Sequence, residues 1–273
     1  MKILAAEGYE DDRIRAIPPH LLERISSRGS WEEYLKIHGG PLANAAKRRE
    51  EEVLAAVGLL EEALKRGRGF VATYPPRDIG YSSGRGGLLN AVAYLAERLE
   101  AAVVALDAHF PWGTWDLHLR LGFPLLVIYG GPDGPAPGRL ARKSDKVVAV
   151  PLPPGASDES IGAALRLVEA LERPIVFEVG FDLYRLEPAG HFFATTELYH
   201  EAGRLAGGGY VVVDCLNSKS VAALEAMLAG ADGVENPLHE RQVEESRAVR
   251  REVKKALRRA RERINKIGKT KEV

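Results

Sequence analysis

Short apolar runs alternate with longer segments of helical periodicity along most of this 273-residue chain. The apolar runs are rich in β-branched residues and lack polar alternation, which is typical of strands buried on both faces of a sheet. The pattern therefore predicts a single parallel sheet of about seven or eight strands. Its strand candidates are residues 2–6, 70–74, 102–106, 125–129, 146–151, 175–179 and 210–214.

Helical patterns fill the intervals between these runs, at residues 45–66, 88–99, 158–171, 196–205 and 220–228. Alternating strands and helices predict an α/β fold of three layers, with helices on both faces of the sheet. The length suits one domain over residues 1–273. Residues 239–269 combine many charges with a sparse apolar stripe, so we predict a charged C-terminal helix there, followed by a tail to residue 273.

Composition narrows the classes of partner. The chain has 38 basic and 38 acidic residues, so no net field attracts nucleic acid or an anionic membrane. The single cysteine, Cys215, excludes an internal disulfide and is typical of a reducing compartment. With no apolar run long enough for a membrane span or signal peptide, we expect a cytoplasmic protein. The abundance of Arg and Glu is typical of heat-adapted proteins. The sequence is also compatible with a homo-oligomer.

Acidic residues and a histidine follow two of the predicted strands. Asp107 and His109 come directly after residues 102–106, and Asp182 follows residues 175–179. Because the carboxyl ends of parallel strands line the ligand crevice of an open sheet, these side chains are expected to converge. Two carboxylates and one imidazole would hold a divalent metal and leave a coordination position open. The alternative is that these residues only cap turns or helices.

Several segments, in order along the chain, resemble the histone deacetylase superfamily, which includes acetylpolyamine amidohydrolases and shares its fold with arginase. Residues 107–114 (DAHFPWGT) are similar to the pattern D-x-H-H-G-N-G-T, and residues 150–159 (VPLPPGASDE) resemble V-P-L-P-P-G-x-x-D-E. Residues 180–182 (GFD) and 195–199 (TTELY) resemble G-x-D and T-x-x-x-Y. Residues 74–76 (YPP) resemble the start of R-P-P-G-H-H. The matching blocks fall on the predicted strands and helices.

The resemblance identifies the chain as a short, divergent member of prokaryotic type, and it implies an arginase/deacetylase-like fold. Asp107, His109 and Asp182 match the three metal-ligand positions of the family one by one. The implied metal is zinc. The implied reaction removes an acetyl group from an acetylated amine, either a small molecule or a peptide of the acetyl-lysine or acetylpolyamine type.

The sequence departs from the family pattern at the residues that transfer protons in the reaction. Asp78 and Ile79 stand at the positions of two adjacent histidines, and Ala105 and Trp112 stand where residues that orient those histidines are expected. Loss of positioned acid and base groups costs about 10²- to 10⁴-fold in rate per group. Asp78 is then the best candidate for a general base.

Two further residues are candidates for the missing functions. His191, in the loop after Asp182, could carry protons, although a surface or packing role is the alternative. Matching strand ends places residues 214–217 (DCLN) on the family's E-G-G-Y, with Asn217 at the oxyanion tyrosine. The alternative register places Tyr210 there. An amide such as that of Asn217 can also donate a hydrogen bond to an oxyanion.

Three interpretations remain open from the sequence. The first is a metal-dependent amidohydrolase of the deacetylase type with altered acid and base residues. The second is a member of the same superfamily that keeps a metal and binds a ligand or partner without catalysis. In the third, the carboxylates have only a structural role, which is the least attractive because buried carboxylates need partners.

Overall fold

Eight parallel strands form one sheet in the described part of the chain, residues 1–39, 41–73, 88–171, 174–187 and 191–269 of a computed structural model. The strands are β1 (Ile3–Ala6), β2 (Leu22–Ile25), β3 (Gly69–Val71), β4 (Ala102–Asp107), β5 (Leu125–Gly130), β6 (Val147–Leu152), β7 (Ile175–Gly180) and β8 (Tyr210–Asp214). Their spatial order is β2-β1-β3-β8-β7-β4-β5-β6. The predicted parallel sheet is confirmed.

Helices cover both faces of the sheet. The helices are α1 (Asp12–Ala16), α2 (Trp31–His38), α3 (Pro41–Ala46), α4 (Glu50–Lys65), α5 (Ala91–Leu99), α6 (Trp112–Leu121), α7 (Pro137–Ala141), α8 (Asp158–Leu165), α9 (Thr196–Ala206), α10 (Val221–Ala231) and α11 (Arg247–Lys269). Apolar residues of α2, α4, α5 and α6 form one core against the sheet, and those of α8, α9, α10 and α11 form the other. The predicted three-layer α/β fold is confirmed. None of the helices in the described ranges has the length and apolarity needed to cross a bilayer.

The strands are apolar without interruption because successive side chains enter different cores. In β4, Val103 and Ala105 belong to the core beneath α5, whereas Val104 and Leu106 belong to the core beneath α9. Side chains two residues apart in a strand share a face. An alternating polar pattern is therefore absent from β4.

The C-terminal helix begins later than predicted. It starts at Arg247, and residues 239–246 have no regular secondary structure. The reason is that this segment binds other helices through its side chains. Buried Glu245 accepts hydrogen bonds from the backbone N–H groups of Ser157 and Ser160, at the N-terminus of α8.

Candidate metal centre

The predicted metal ligands lie at the carboxyl ends of two neighbouring strands. Asp107 is the last residue of β4, His109 follows two residues later, and Asp182 lies two residues beyond β7. The two strands pair in parallel with Leu106 opposite Val179, so they end at the same level. The fold therefore brings the three side chains together at one edge of the sheet.

Backbone and side-chain contacts fix the two carboxylates around the imidazole. The N–H of Ala108 donates to Asp182 Oδ1 at 2.9 Å, and the N–H of His109 donates to Asp107 Oδ1 at 2.8 Å. The Nδ1 atom of His109 lies 2.7 Å from Asp182 Oδ2 and 3.3 Å from Asp107 Oδ1. The imidazole thus bridges two carboxylates that belong to different strands.

Burial and charge make this point of the molecule favourable for a cation. Asp107 and Asp182 are buried, whereas the His109 side chain is 61% exposed, so one side of the site opens to solvent. Hydrogen bonds to Asp107 and Asp182 raise the pKa of His109 to about 10, because the carboxylates stabilise the imidazolium form. The same two carboxylates would stabilise a metal cation bound between them.

Gly180 leaves the space that the carboxylates occupy. A Cβ atom at this position would lie 2.1 Å from Asp107 Oδ2 and 2.9 Å from Asp182 Oδ1. The buried hydroxyl of Tyr199 donates to the carbonyl oxygen of Gly180 at 3.1 Å and so fixes the position of the end of β7. Burial, reinforced by the charge of Asp182, raises the pKa of Tyr199 well above its ordinary value, so it remains a donor.

A fourth residue, Cys215, joins the group and was missed by the sequence prediction. It follows directly after β8, the other neighbour of β7, and its Sγ atom lies 3.8 Å from Asp107 Oδ2. One potential ligand atom from each of Asp107, His109, Asp182 and Cys215 lies within 4.8 Å of the others. The available signal was its position at a strand end, which Asp107 and Asp182 share.

The residues present fit a divalent transition metal. Carboxylate, imidazole and thiolate groups are all zinc ligands, and the nitrogen and sulfur donors disfavour calcium and magnesium. Among the described residues, Asp182 Oδ2 is a buried atom without a hydrogen-bond partner of good geometry, although the His109 ring lies beside it. A buried carboxylate oxygen of this kind is costly unless a positive charge compensates it.

Arg13 neutralises the acidic residue at the end of β8. Its guanidinium donates to Asp214 Oδ1 at 2.8 Å and to the carbonyl oxygen of Thr73 at 2.9 Å. It also pairs with Asp11, the N-cap of α1. Asp214 is therefore engaged in an ion pair at the margin of the group and is not one of its four members.

The other predicted site residues have different outcomes. Asp78 lies outside the described residues. The side chain of Asn217 donates to the carboxylate of Glu187 and accepts the N–H of Lys219 at 2.9 Å, so it organises its own loop. His191 is exposed, its carbonyl oxygen accepts the N–H of Gly155, and its side chain is not part of the four-residue group.

Apolar packing fills positions at which the sequence departs from the deacetylase pattern. Phe110 is buried, with its ring centroid 4.7 Å from that of Trp112 and 5.1 Å from that of Tyr129, both in edge-to-face geometry. Ala105 is buried in the core on the same face of the sheet. These residues stabilise the region beside the ligands but cannot transfer protons.

Comparisons with known proteins identify the fold. No family model and no curated protein matches the sequence. The crystal structure of the HDA15 HD domain is similar over 94% of this chain and 93% of that one, with a TM-score of 0.72 and 16% identity. The structure of the histone deacetylase Clr3 is similar over 93% of this chain and 56% of that one, with a TM-score of 0.64 and 15% identity. The chain has the histone deacetylase fold.

Proposed function

We propose that this chain binds a divalent metal, zinc, through Asp107, His109 and Asp182, and hydrolyses an acetylated amine of the acetyl-lysine or acetylpolyamine type. The observation that carries the proposal is the convergence of two buried carboxylates and one solvent-facing imidazole at the edge where β4 and β7 end. The similarity of fold to the HDA15 HD domain and to the histone deacetylase Clr3 supports the choice of reaction.

The metal and the protein would contribute different parts of the chemistry. When bound, a divalent metal supplies Lewis acidity, which polarises a carbonyl group and makes water more acidic. Asp107 and Asp182 supply the negative charge that holds the ion, and His109 must bind in its neutral form. The exposed side of His109 marks the direction from which a substrate would approach.

Proton transfer in this proposal depends on groups that differ from the deacetylase pattern. Asp78 is the proposed general base, and the exposed imidazole of His191 is a second proton carrier. Asn217 is the proposed oxyanion donor, through the second N–H of an amide whose first N–H is donated to Glu187. With both histidine positions replaced, we expect turnover to be slower by about 10²-fold or more than with a complete set of acid and base groups.

A second candidate function is metal-dependent binding without hydrolysis. The packing of Phe110 against Trp112 and Tyr129 favours it, because a buried aromatic cluster occupies positions where proton-handling groups would be needed. A protein of this kind would recognise its ligand through the same metal.

Metal analysis of matched variants tests metal binding, which both candidate functions require. Purified wild-type protein should contain about one zinc ion per chain, and Asp182→Asn should contain almost none. Asp12→Asn is the control, because the Asp12 side chain is fully exposed and forms a surface ion pair with Arg15. Excess zinc at about 100 times its dissociation constant should stabilise the wild type by about 2.7 kcal/mol. At about 2–4 °C per kcal/mol, Tm should rise by roughly 5–10 °C.

Activity then distinguishes the two candidates. Zinc-loaded wild type is incubated with an acetylated lysine peptide and with an acetylated polyamine, and released acetate is measured. Turnover that disappears in Asp182→Asn supports hydrolysis, whereas stoichiometric metal without turnover supports the binding function. A wild-type protein that binds no divalent metal would contradict both.

A further inference from the structure

Cys215 lies at the end of a third strand beside the proposed metal ligands. β8 pairs with β7 such that Asp214 is opposite Gly180, and Cys215 is the next residue. β7 therefore stands between the strand that ends at Asp107 and the strand that ends before Cys215. The ends of β4, β7 and β8 therefore bring their side chains together at one edge of the sheet.

The spacing of the side chains suits a shared ion. Zinc binds sulfur at about 2.3 Å and carboxylate oxygen at about 2.1 Å, so tetrahedral coordination separates these two atoms by about 3.6 Å. The Sγ atom of Cys215 is 3.8 Å from Asp107 Oδ2. His109 Nδ1 and Asp182 Oδ2, at 2.7 Å, would move apart by about 0.6 Å to reach the corresponding separation of about 3.3 Å.

A second observation, independent of the cysteine, indicates that a cation belongs at this point. The Asp182 side chain is only 9% exposed, and its buried Oδ2 atom lies 2.7 Å from His109 Nδ1 without a hydrogen bond of good geometry among the described residues. One carboxylate oxygen of Asp182 and the sulfur of Cys215 both belong to the group of four potential ligand atoms that lie within 4.8 Å of one another. The buried carboxylate is thus arranged for a positive charge, which the protonated His109 supplies in the described part of the chain and a metal ion would supply in its place.

The backbone of Cys215 adopts a left-handed conformation. Its φ of 49° lies in the left-handed region, which costs a residue with a Cβ about 1–2 kcal/mol relative to the right-handed helical region. Glycine would adopt the same conformation without that cost. A conformation of this kind is typical of positions where the side chain has a functional role.

We propose that Cys215 supplies a fourth, thiolate ligand to the metal held by Asp107, His109 and Asp182. The inference rests on the metal-binding part of the proposed function. On binding, the thiol proton is released to solvent and the sulfur lone pair forms the bond to the metal. The resting site then has four protein ligands, and a substrate must either displace the thiolate or enter as a fifth ligand. A thiolate also shifts the preference of the site further from magnesium and calcium toward zinc.

Cobalt substitution tests the sulfur bond without any measurement of activity. The full chain is titrated with Co²⁺, and its absorption is recorded. The wild type should show a near-ultraviolet thiolate-to-cobalt charge-transfer band, which Cys215→Gly and Cys215→Ser should lack. Both variants should still bind Co²⁺ through the other three ligands, with visible bands that saturate at one equivalent. Cys215→Gly is the preferred variant because glycine relieves the left-handed backbone.

Affinity and thiol protection provide the matching quantitative measurements. Because loss of an outer partner alone costs about 10- to 100-fold in metal affinity, loss of a direct ligand should weaken zinc binding at least tenfold. Cys215 is the only cysteine in the chain, so its reaction with a thiol reagent is measured without background. One equivalent of Zn²⁺ should slow that reaction in the wild type but not in Asp182→Asn.

The outcomes separate this inference from the proposed function. Co²⁺ that binds in an Asp182-dependent manner without a charge-transfer band would overturn the thiolate ligand and leave the three-ligand metal site intact. A charge-transfer band without any hydrolysis of acetylated amines would support the thiolate ligand while contradicting hydrolysis. Absence of any Co²⁺ or Zn²⁺ binding would overturn both.

Discussion

Gly180 determines how closely the two carboxylates can approach the end of β7. Asp107 Oδ2 and Asp182 Oδ1 both lie over its Cα, in the volume that any side chain would occupy. The nearest atoms belong to carboxylates that are themselves held by backbone hydrogen bonds, so they cannot move away without loss of those bonds. A glycine at this position is therefore a requirement of the site rather than of the strand.

We predict that Gly180→Ala disrupts metal binding far more than folding. The added methyl group displaces Asp107 or Asp182, so zinc affinity should fall at least tenfold, whereas overpacking should lower the free energy of unfolding by about 1–3 kcal/mol. Isothermal titration with Zn²⁺ and urea unfolding measure the two effects. Gly138→Ala is the matched control, since a Cβ at Gly138 in α7 meets no atom within 4 Å. Wild-type zinc affinity in Gly180→Ala would refute the prediction.

Several residues in the motifs that resemble the deacetylase pattern stabilise the fold and do not line the proposed metal site. Asp158 accepts the backbone N–H of Thr195 at 2.8 Å and its hydroxyl at 2.5 Å, which joins the start of α8 to the start of α9. Tyr199 donates to Gly180. The short motifs predict the fold because each of these residues forms a hydrogen bond that joins two elements of the structure.

Cys215 was not predictable in the same way. The sequence locates it after a strand, but its role depends on which strand ends are neighbours. β8 lies next to β7, and β7 next to β4, so the relevant order differs from the order along the chain. Strand order in a parallel sheet depends on crossover connections, which periodicity alone does not determine.

The segment before α11 connects the C-terminal region to two other helices. Glu245 accepts hydrogen bonds at the N-terminus of α8, and Glu240 accepts the N–H of Thr196 at the N-terminus of α9. Carboxylates are stabilised at helix N-termini by unpaired N–H groups and the helix dipole. This use of its side chains explains why residues 239–246 are not helical although their composition predicts a helix.

We predict that Glu245→Ala destabilises the whole fold. The variant leaves two buried N–H groups and two serine hydroxyls without their acceptor, so the free energy of unfolding should fall by about 3 kcal/mol or more. Chemical denaturation measures the change. Glu244→Ala is the control, because the adjacent Glu244 is exposed and forms only a long ion pair with Arg250, at 3.9 Å. Equal stability of the two variants would contradict the capping role.

The sequence indicated the three layers of the molecule but not the strand at one edge of its sheet. Central strands such as β4 and β7 are buried along their full length, which gives them a distinct apolar pattern. The edge strand β2 includes Glu23 and Arg24 and is only half-buried, so it was not predicted. Charged edge strands lack the apolar pattern and also resist pairing with other molecules.

Two buried histidines should make the stability of the whole fold depend on pH. His118 is bound to the carbonyl oxygen of Phe123 and to the hydroxyl of Ser144, and burial lowers its pKa to about 4. His38 accepts the N–H of Asn90, and burial lowers its pKa to about 3. Both side chains are therefore neutral in the folded protein at pH 5, whereas a histidine in the unfolded chain has a pKa near 6.5.

The unfolded state consequently binds more protons than the folded state as the pH falls below about 6.5, and the folded state loses stability. Between pH 7 and pH 5, each of the two histidines should lower the free energy of unfolding by about 2 kcal/mol. Urea unfolding of His118→Gln should show a pH-dependent loss that is about 2 kcal/mol smaller than in the wild type, whatever the variant costs at pH 7. His20→Gln, which removes an exposed imidazole, should follow the wild-type profile. An unchanged profile in His118→Gln would show that His118 becomes protonated without unfolding, in conflict with its buried, doubly bonded position.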